Sequence, residues 1–440
     1  MTASAAGGTE LYLIPHAEGW ILYAPLAGRV VHANSACVDQ IRRYLATGDE
    51  EVVDGSVTAR LGGLGWLDPR PAPRPRDAAA PYRPTQVTLF LTNQCNLACT
   101  YCYAEAGAHR PRRIAPETAA AAIDVAADNA AKHGAALSVG FHGGGEPTTA
   151  WTELTAAIAH ARRTADRRRL DLRLGIATNG VMSREHARVV ASTFPTVTLS
   201  LDGPRDLQNE QRPRRGGGGS YDAVLRFIDA LHHRDTPFVV RTTVTRRSVG
   251  RLPELVDRLH DATGCRMIHF EPAFASGRAG GDVTLVPAPW AFATGFVAAV
   301  DQAAERGVRV RYSAARLGAA YPAFCACSGD PLNVTPEGDV TACFEVCDRS
   351  APRAGIFIFA RFERDRGELV VDRDRLAHLR TLTVHHRAEC RSCFARWSCA
   401  GDCPAKWRES GPDPERCAMH REIAHALLVR SLDPKRCAVI

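Results

Sequence analysis

Residues 86–107, QVTLFLTNQCNLACTYCYAEAG, decide how the chain is read. The first half, an apolar run rich in β-branched and aromatic residues, predicts a strand over 86–92. The second half places Cys95, Cys99 and Cys102 in a CxxxCxxC spacing on the loop that follows. Three thiolates so spaced can hold three irons of a cubane [4Fe-4S] cluster and leave the fourth iron open to another ligand. A zinc site would close with a fourth Cys or His. The nearest histidines downstream, His109, His133 and His142, lack finger-like spacing.

Outward from this loop, strands and helices alternate. An alanine-rich helix is expected from about Pro116 to Lys132, closed by Gly134, with further strands at 137–142, 172–178, 196–201, 238–244 and 266–271. Six strands alternating with helices predict an α/β fold, a parallel sheet or partial (β/α)6 TIM-like barrel with its chemistry at the strand C-termini. Gly216 to Gly219 predict a flexible loop, or a lid over the site. Upstream, residues 9–68 carry two strand-like runs, Leu11–Ile14 and Trp20–Ala24, then a helical stretch near Ser35–Leu45. Residues 69–84 are too proline-rich for regular structure. From about Tyr321 the alternation stops and cysteines become dense, which predicts a separate, metal-organised region. The expected division is a small N-terminal domain (1–70), a linker (71–84), the barrel (85–315) and a C-terminal domain (316–440).

The chain has 440 residues, 45% hydrophobic and 23% charged, which excludes disorder, collagen and coiled coil as global descriptions. It shows no run of about 18 apolar residues and no signal peptide. A soluble, cytoplasmic protein without a membrane partner is expected. The net charge of +7, from 55 basic and 48 acidic residues, is modest and does not imply nucleic acid. Fifteen cysteines without an export signal read as metal ligands before disulfides. Cys37, Cys265 and Cys437 stand alone, and Cys37 and Cys437 read as buried, inert thiols.

On these residues the chain resembles a radical S-adenosylmethionine (SAM) enzyme with a C-terminal Fe-S-binding SPASM domain, over about residues 85–425. Tyr101 matches the family position that packs against adenine. Gly143-Gly144-Gly145-Glu146-Pro147, at the end of the next strand, resembles the GGEP element that contacts the SAM amino group. A fixed carboxylate can accept from an ammonium, and glycines let backbone approach a ligand. In this family Asn179 and Ser200, from Thr178-Asn179-Gly180 and Ser200-Leu201-Asp202-Gly203, are the positions favoured for the ribose hydroxyls and the methionine carboxylate. Arg212 resembles an arginine that often follows SxDG, although Gln208-Asn209 stand where the family often has His-Asp.

Cys327-x10-Gly338-x4-Cys343, then Cys390-x2-Cys393-x5-Cys399-x3-Cys403, then Cys417 reproduce the seven-cysteine SPASM signature. The family's interleaved pairing implies one auxiliary cluster on Cys327, Cys343 and Cys403, and another on Cys390, Cys393, Cys399 and Cys417. A fourth ligand for the first would be Cys325, the favoured choice, or Cys347. Zinc ribbons are the bland alternative. The resemblance thus implies three [4Fe-4S] clusters and SAM.

It also implies a reaction. An electron from a low-potential donor such as flavodoxin or ferredoxin cleaves SAM, and the 5′-deoxyadenosyl radical removes hydrogen from substrate. Residues 19–37, GWILYAPLAGRVVHANSAC, resemble winged-helix elements that hold a leader peptide by pairing it against a sheet edge. A structural cap is the alternative. The expected substrate is a ribosomally made precursor peptide, cross-linked oxidatively. Formylglycine formation on a sulfatase is the second reading. Epimerisation, with hydrogen returned by Cys265 or by whichever of Cys325 and Cys347 binds no iron, is a third. A non-enzymatic, metal-stabilised binding protein is the last.

Overall fold

The computed structural model describes residues 2–4, 10–16, 19–47, 53–64, 70–363 and 367–432. Cys437 lies outside them. Strands β1 (Thr2–Ser4), β2 (Glu10–His16), β3 (Gly19–Ala24) and β4 (Arg29–Ala33) pair antiparallel in that order, and helices α1 (Ser35–Thr47) and α2 (Gly55–Gly63) follow. Side chains alternate along β2 and β3. Leu11, Leu13, Leu22 and Ala24 pack against Val38 and Ile41 of α1 and Val57 and Leu61 of α2, with Cys37 buried among them. Tyr12, Ile14, Ile21 and Tyr23 pack on the other face with Phe394 and Leu428. A sheet covered on both faces explains why these strands read as continuous apolar runs.

The alternating region folds as expected. It runs β5 (Gln86–Leu89), α3 (Pro116–His133), β6 (Leu137–Phe141), α4 (Trp151–Arg168), β7 (Leu172–Thr178), α5 (Arg184–Thr193), β8 (Val197–Ser200), α6 (Arg205–Gln211), α7 (Tyr221–His232), β9 (Phe238–Val244), α8 (Leu252–Thr263) and β10 (Met267–Pro272). The six strands pair in parallel, in sequence order. Gly134 ends α3 at φ +61°, its N–H returning to Ala130 O. Ala119, Ala122, Ala126 and Ala130 are buried along α3, small enough to let this helix lie close to α4.

Beyond the barrel come α9 (Pro289–Glu305), β11 (Arg309–Arg311), β12 (Asn333–Val334), β13 (Asp339–Thr341), α10 (Ala354–Phe357), β14 (Ile358–Phe362), β15 (Leu369–Val371), α11 (Arg373–Arg380), α12 (Arg396–Cys399) and α13 (Pro414–Ser431). Here the structure departs from the expected division. β12 pairs in parallel with β5, Asn333 opposite Thr88, and β13, β14 and β15 follow antiparallel. The sheet thereby covers the edge that β5 would otherwise expose. The described residues fall into two compact units. One holds residues 76–295 and 326–381; the other holds those up to 75, 296–325 and those from 382 onward. The cysteine-rich region is therefore split between the units rather than forming one domain over 316–440.

Residues 70–85 have no regular structure, as their prolines require, yet the second half of the linker is anchored. Arg380, 1% exposed, donates to Ala78 O at 3.0 Å and pairs with Asp330 at 2.7 Å, while Tyr82 Oη donates to Pro331 O at 2.6 Å. One stretch, Val283–Glu305, is long and apolar enough to cross a membrane by length and composition, contrary to the expectation of no such run. It is divided between a single 3-10 turn at Val283–Leu285 and α9, whose Phe292 and Phe296 are buried.

Candidate active site

β5 delivers the cysteine loop to the C-terminal end of the parallel strands, where loops of such sheets converge. Backbone bonds fix the loop against residues 211–215: Ala98 N–H to Pro213 O (2.8 Å), Thr100 N–H to Gln211 O (3.0 Å) and Arg215 N–H to Asn96 O (3.0 Å). Two guanidinium groups brace its carbonyls. Arg215 Nε donates to Cys95 O at 3.2 Å, and Arg278 donates to Cys99 O at 2.9 Å and to Ala106 O at 2.7 Å. Gly277, at φ +52°, lets the chain pass so close that a Cβ there would lie 2.3 Å from Cys102 O. Gly216–Gly219 form the tight return from this docked segment, Arg214 N–H bonding Gly218 O at 3.0 Å, rather than a lid. Removing both clamps, Arg215→Ala with Arg278→Ala, is expected to lower iron loading at this loop at least severalfold while the fold persists, as iron assay and circular dichroism would register.

Cys99 is buried, and Cys95 and Cys102 are half-buried. Burial pushes the Cys95 thiol up to about 12, with Glu146, Cys99 and Cys102 adding to the rise, and pushes Cys99 to about 11. The three thiols thus lie within electrostatic reach of one another, in a pocket where thiolates need a neutralising cation. Asn179 Nδ2 lies 3.6 Å and the Leu97 N–H 3.4 Å from Cys95 Sγ, donors suited to a ligating thiolate. Among the described residues no group of three or more His, Cys, Asp or Glu is arranged to hold a single metal ion.

The glycine tract runs beside the base of this loop. Gly145 N–H bonds Thr92 O at 2.7 Å and Glu146 N–H bonds Gln94 O at 2.9 Å, and a Cβ on Gly145 would lie 2.0 Å from Gln94 O. Gly144 takes φ +64°. Glu146 is 4% exposed. Oε1 accepts from Thr148 N–H (3.1 Å), Thr148 Oγ1 (2.8 Å) and Thr178 Oγ1 (2.7 Å), and Oε2 accepts from Asn179 N–H (2.7 Å). An ionised carboxylate has about four acceptor positions. Three of these bonds fall on Oε1 and one on Oε2, so the carboxylate joins the ends of β6 and β7 while Oε2 keeps one acceptor position. Burial raises the Glu146 pKa against these bonds.

Arg212 is paired within the protein. It is 8% exposed, and its Nε lies 3.0 Å from Asp202 Oδ2. Burial alone would lower its pKa, but Asp202 and Tyr101 outweigh it and hold the guanidinium charged. Tyr101 donates its hydroxyl to Asp202, and the Arg212 guanidinium lies 5.3 Å from its ring centre. Gln208, where the family often has His, accepts from the Asp202 N–H at 2.8 Å and donates to Ser220 Oγ at 3.0 Å. Asn209 accepts from the Tyr221 N–H at 3.0 Å. Gln208 and Asn209 thus brace this loop against Ser220 and Tyr221.

Ser200 stands in register with Arg241, and Arg241 with His269, on the less buried face of β8, β9 and β10. His269 pairs with Glu271 at 2.7 Å. Arg241 is exposed and lies within electrostatic reach of Tyr103 and of His142, whose pKa burial lowers to about 4. Phe344, 40% exposed, stacks 6.0 Å from Phe90 and 4.9 Å from His142. Sequence reading passed over Arg241 and Phe344. A charged residue inside the apolar run FVVRTTV was the available signal for the first.

In the same unit, Gly338 at φ +85° turns β12 into β13, and Cys343 follows just past that hairpin, which accounts for the Gly-x4-Cys spacing. Cys327 is buried. Cys347 bonds Phe344 O at 3.3 Å; burial pushes it up to about 12, opposed by a bond from the Gly144 N–H, and Cys102 and Cys343 are within its electrostatic reach. Cys325 is exposed and, with Cys403, belongs to the other unit. There Cys390 is pushed up to about 12 by burial and then by Cys393 and Cys417, and Cys393 also acts on Cys399 and Cys417. Cys390, Cys399 and Cys417 are thus each within electrostatic reach of Cys393. His420 Nδ1 lies 3.3 Å from Cys399 Sγ.

Cys265 is 2% exposed and lies just after α8, at the entry of β10, the end of the sheet opposite the cysteine loop. It cannot return hydrogen to a substrate at the barrel mouth, which removes that form of the epimerase reading. Burial pushes its pKa to about 11. In the folded protein at pH 8 it should resist iodoacetamide, reacting only after denaturation, as peptide mass mapping would record.

Residues 89–259 match the Radical SAM superfamily. The chain carries a radical SAM domain and is a radical SAM enzyme, of a family that uses a [4Fe-4S] cluster and SAM. Its relatives include maturases. Over 358 residues it is 25% identical to the serine-type anaerobic sulfatase-maturating enzyme of Klebsiella aerogenes, covering 76% of this chain and 84% of that protein. Over 356 residues it is 29% identical to the mycofactocin maturase MftC of Mycobacterium ulcerans, covering 76% and 87%. The fold is shared with native anSMEcpe with bound AdoMet (TM-score 0.58, 17% identity, 79% of this chain and 98% of that one). It is shared also with Streptococcus suis SuiB bound to precursor peptide SuiA (TM-score 0.52, 14% identity, 92% and 95%).

Proposed function

We propose that this enzyme matures a ribosomally made precursor peptide, abstracting hydrogen from one residue and closing an oxidative intramolecular cross-link. When bound at Cys95, Cys99 and Cys102, the cluster and SAM supply reductive cleavage and hydrogen-atom abstraction. The chain contributes a loop clamped by Arg215 and Arg278, a glycine tract braced by Glu146, and a row of Ser200, Arg241 and His269 in register across β8, β9 and β10. Arg241, bearing a cationic fork beside Ser200, suits a carboxylate.

The observation that carries this reading is the contrast between two thiol sets. Three thiols at the strand ends would leave a corner for SAM, whereas the four of Cys390, Cys393, Cys399 and Cys417, each within electrostatic reach of another, would close a cluster. A closed cluster suits one-electron oxidation of the substrate radical, and thus net two-electron products. Among the described residues no strand pairs beyond β4, whose edge, with His32 O held by Arg60, would be the strand-pairing site for a leader peptide. The match to SuiB, which spans 92% of the chain against 79% for anSMEcpe, supports a counterpart for the N-terminal sheet. A flavodoxin or ferredoxin would supply the electron.

Formylglycine formation is the second reading, favoured by the match to the Klebsiella enzyme. Anaerobic turnover with a short peptide encoded beside the gene, read by tandem mass spectrometry, tests both. A product lighter by two hydrogens, unreactive toward a hydrazide and interrupted in its fragment series, is expected. A hydrazide-reactive aldehyde formed on a sulfatase peptide instead would select the second reading. A colourless protein that leaves SAM intact would sink both.

A further inference from the structure

We propose that the N-terminal sheet is part of the housing of the second auxiliary cluster, with Glu10 as the positioning residue that joins them. This rests on reading Cys390, Cys393, Cys399 and Cys417 as that cluster's ligands. Sequence had set residues 1–70 apart as a recognition module behind a linker. In the structure, the face of the sheet turned away from α1 and α2 packs on the segments that carry these cysteines: Tyr12, Ile14, Ile21 and Tyr23 share one cluster with Phe394 and with Leu428 of α13. Phe394 directly follows Cys393, and α13 carries Cys417.

Glu10, the first residue of β2, makes the polar part of this joint. Its Oε1 accepts from Arg396 Nη1 at 2.8 Å and its Oε2 from Trp397 Nε1 at 2.6 Å. Arg396 and Trp397 open α12, the single turn that ends in Cys399. Trp397 is fully buried and packs with Cys390, and the Arg396 guanidinium lies 4.4 Å from its indole ring. The carboxylate and guanidinium are 19% and 14% exposed, sheltered enough for their charges to act over several ångströms. Arg396 is within electrostatic reach of Cys390, and Cys393 of Tyr12.

A cluster's potential follows the net charge and hydrogen bonds around its sulfurs. Glu10 balances the Arg396 cation beside two ligands. Without that balance, the added electron is stabilised by an uncompensated positive charge; without Arg396, it is opposed by an uncompensated negative one. The two substitutions must therefore act with opposite sign, which a merely structural joint would not produce.

The test is an EPR-monitored redox titration of the reconstituted full-length chain, following the reduced signal that Cys399→Ala removes. Glu10→Gln should raise the midpoint potential, Arg396→Met should lower it, and the double variant and Glu10→Asp should titrate near wild type, all with unchanged iron. If Glu10→Gln instead loses about one cubane of iron and Glu10→Asp restores it, the housing role is supported directly. Unchanged potential and iron in both single variants, or shifts of the same sign, would overturn the inference. A wild-type protein with no Cys399-dependent signal would overturn the cluster assignment itself, and this inference with it.

Discussion

Replacing Cys95, Cys99 and Cys102 together by alanine is expected to abolish SAM cleavage and to lower bound iron from roughly twelve to roughly eight atoms per chain, at four per cubane. The loop keeps its shape without the thiols. Its path is set by backbone bonds to residues 211–215, by Arg215 and Arg278, and by the close passage at Gly277. Cys390, Cys393, Cys399 and Cys417, proposed to hold another cluster, belong to another compact unit. Iron analysis together with quantitation of 5′-deoxyadenosine separates the outcomes. Loss of all iron would mean that the sites assemble interdependently, and retention of SAM cleavage would move the reactive cluster elsewhere.

What could be read from sequence was what is local. The strands at 172–178 and 238–244 coincide with β7 and β9, because a run of apolar and β-branched residues between turn residues carries its own boundaries. The CxxxCxxC and Cx2Cx5Cx3C spacings were legible for the same reason. What escaped was contact at long range. β12 is two residues long, too short for any periodicity, and its partner Thr88 lies 245 positions away from Asn333. Nothing within Arg215 or Arg278 marks them as clamps on carbonyls more than a hundred residues distant. The joint at Glu10 was hidden by the proline-rich segment, which reads as a linker although the sheet before it is buried on both faces.

The bracing role of Glu146 escaped for a related reason. A carboxylate after a glycine tract reads as a ligand group when its partners are unseen, and here they come from β7, more than thirty residues on. Glu146→Gln separates the two roles. A carboxamide in this position must turn its NH2 toward Thr148 and Thr178 or toward the Asn179 N–H, donor against donor, and at least one buried group loses its partner. Each such loss costs about 1 to 3 kcal/mol, and each bond to the charged form contributes about 1.5 to 3 kcal/mol. The variant is therefore expected both to unfold at lower temperature and to lose SAM affinity, because Asn179, which bonds Glu146 through its backbone and lies 3.6 Å from Cys95 Sγ through its side chain, is released with it. Differential scanning calorimetry of the apoprotein and SAM binding to the reconstituted protein report the two effects. Weakened SAM binding with an unchanged transition temperature would return the carboxylate to the ammonium contact that its sequence suggests.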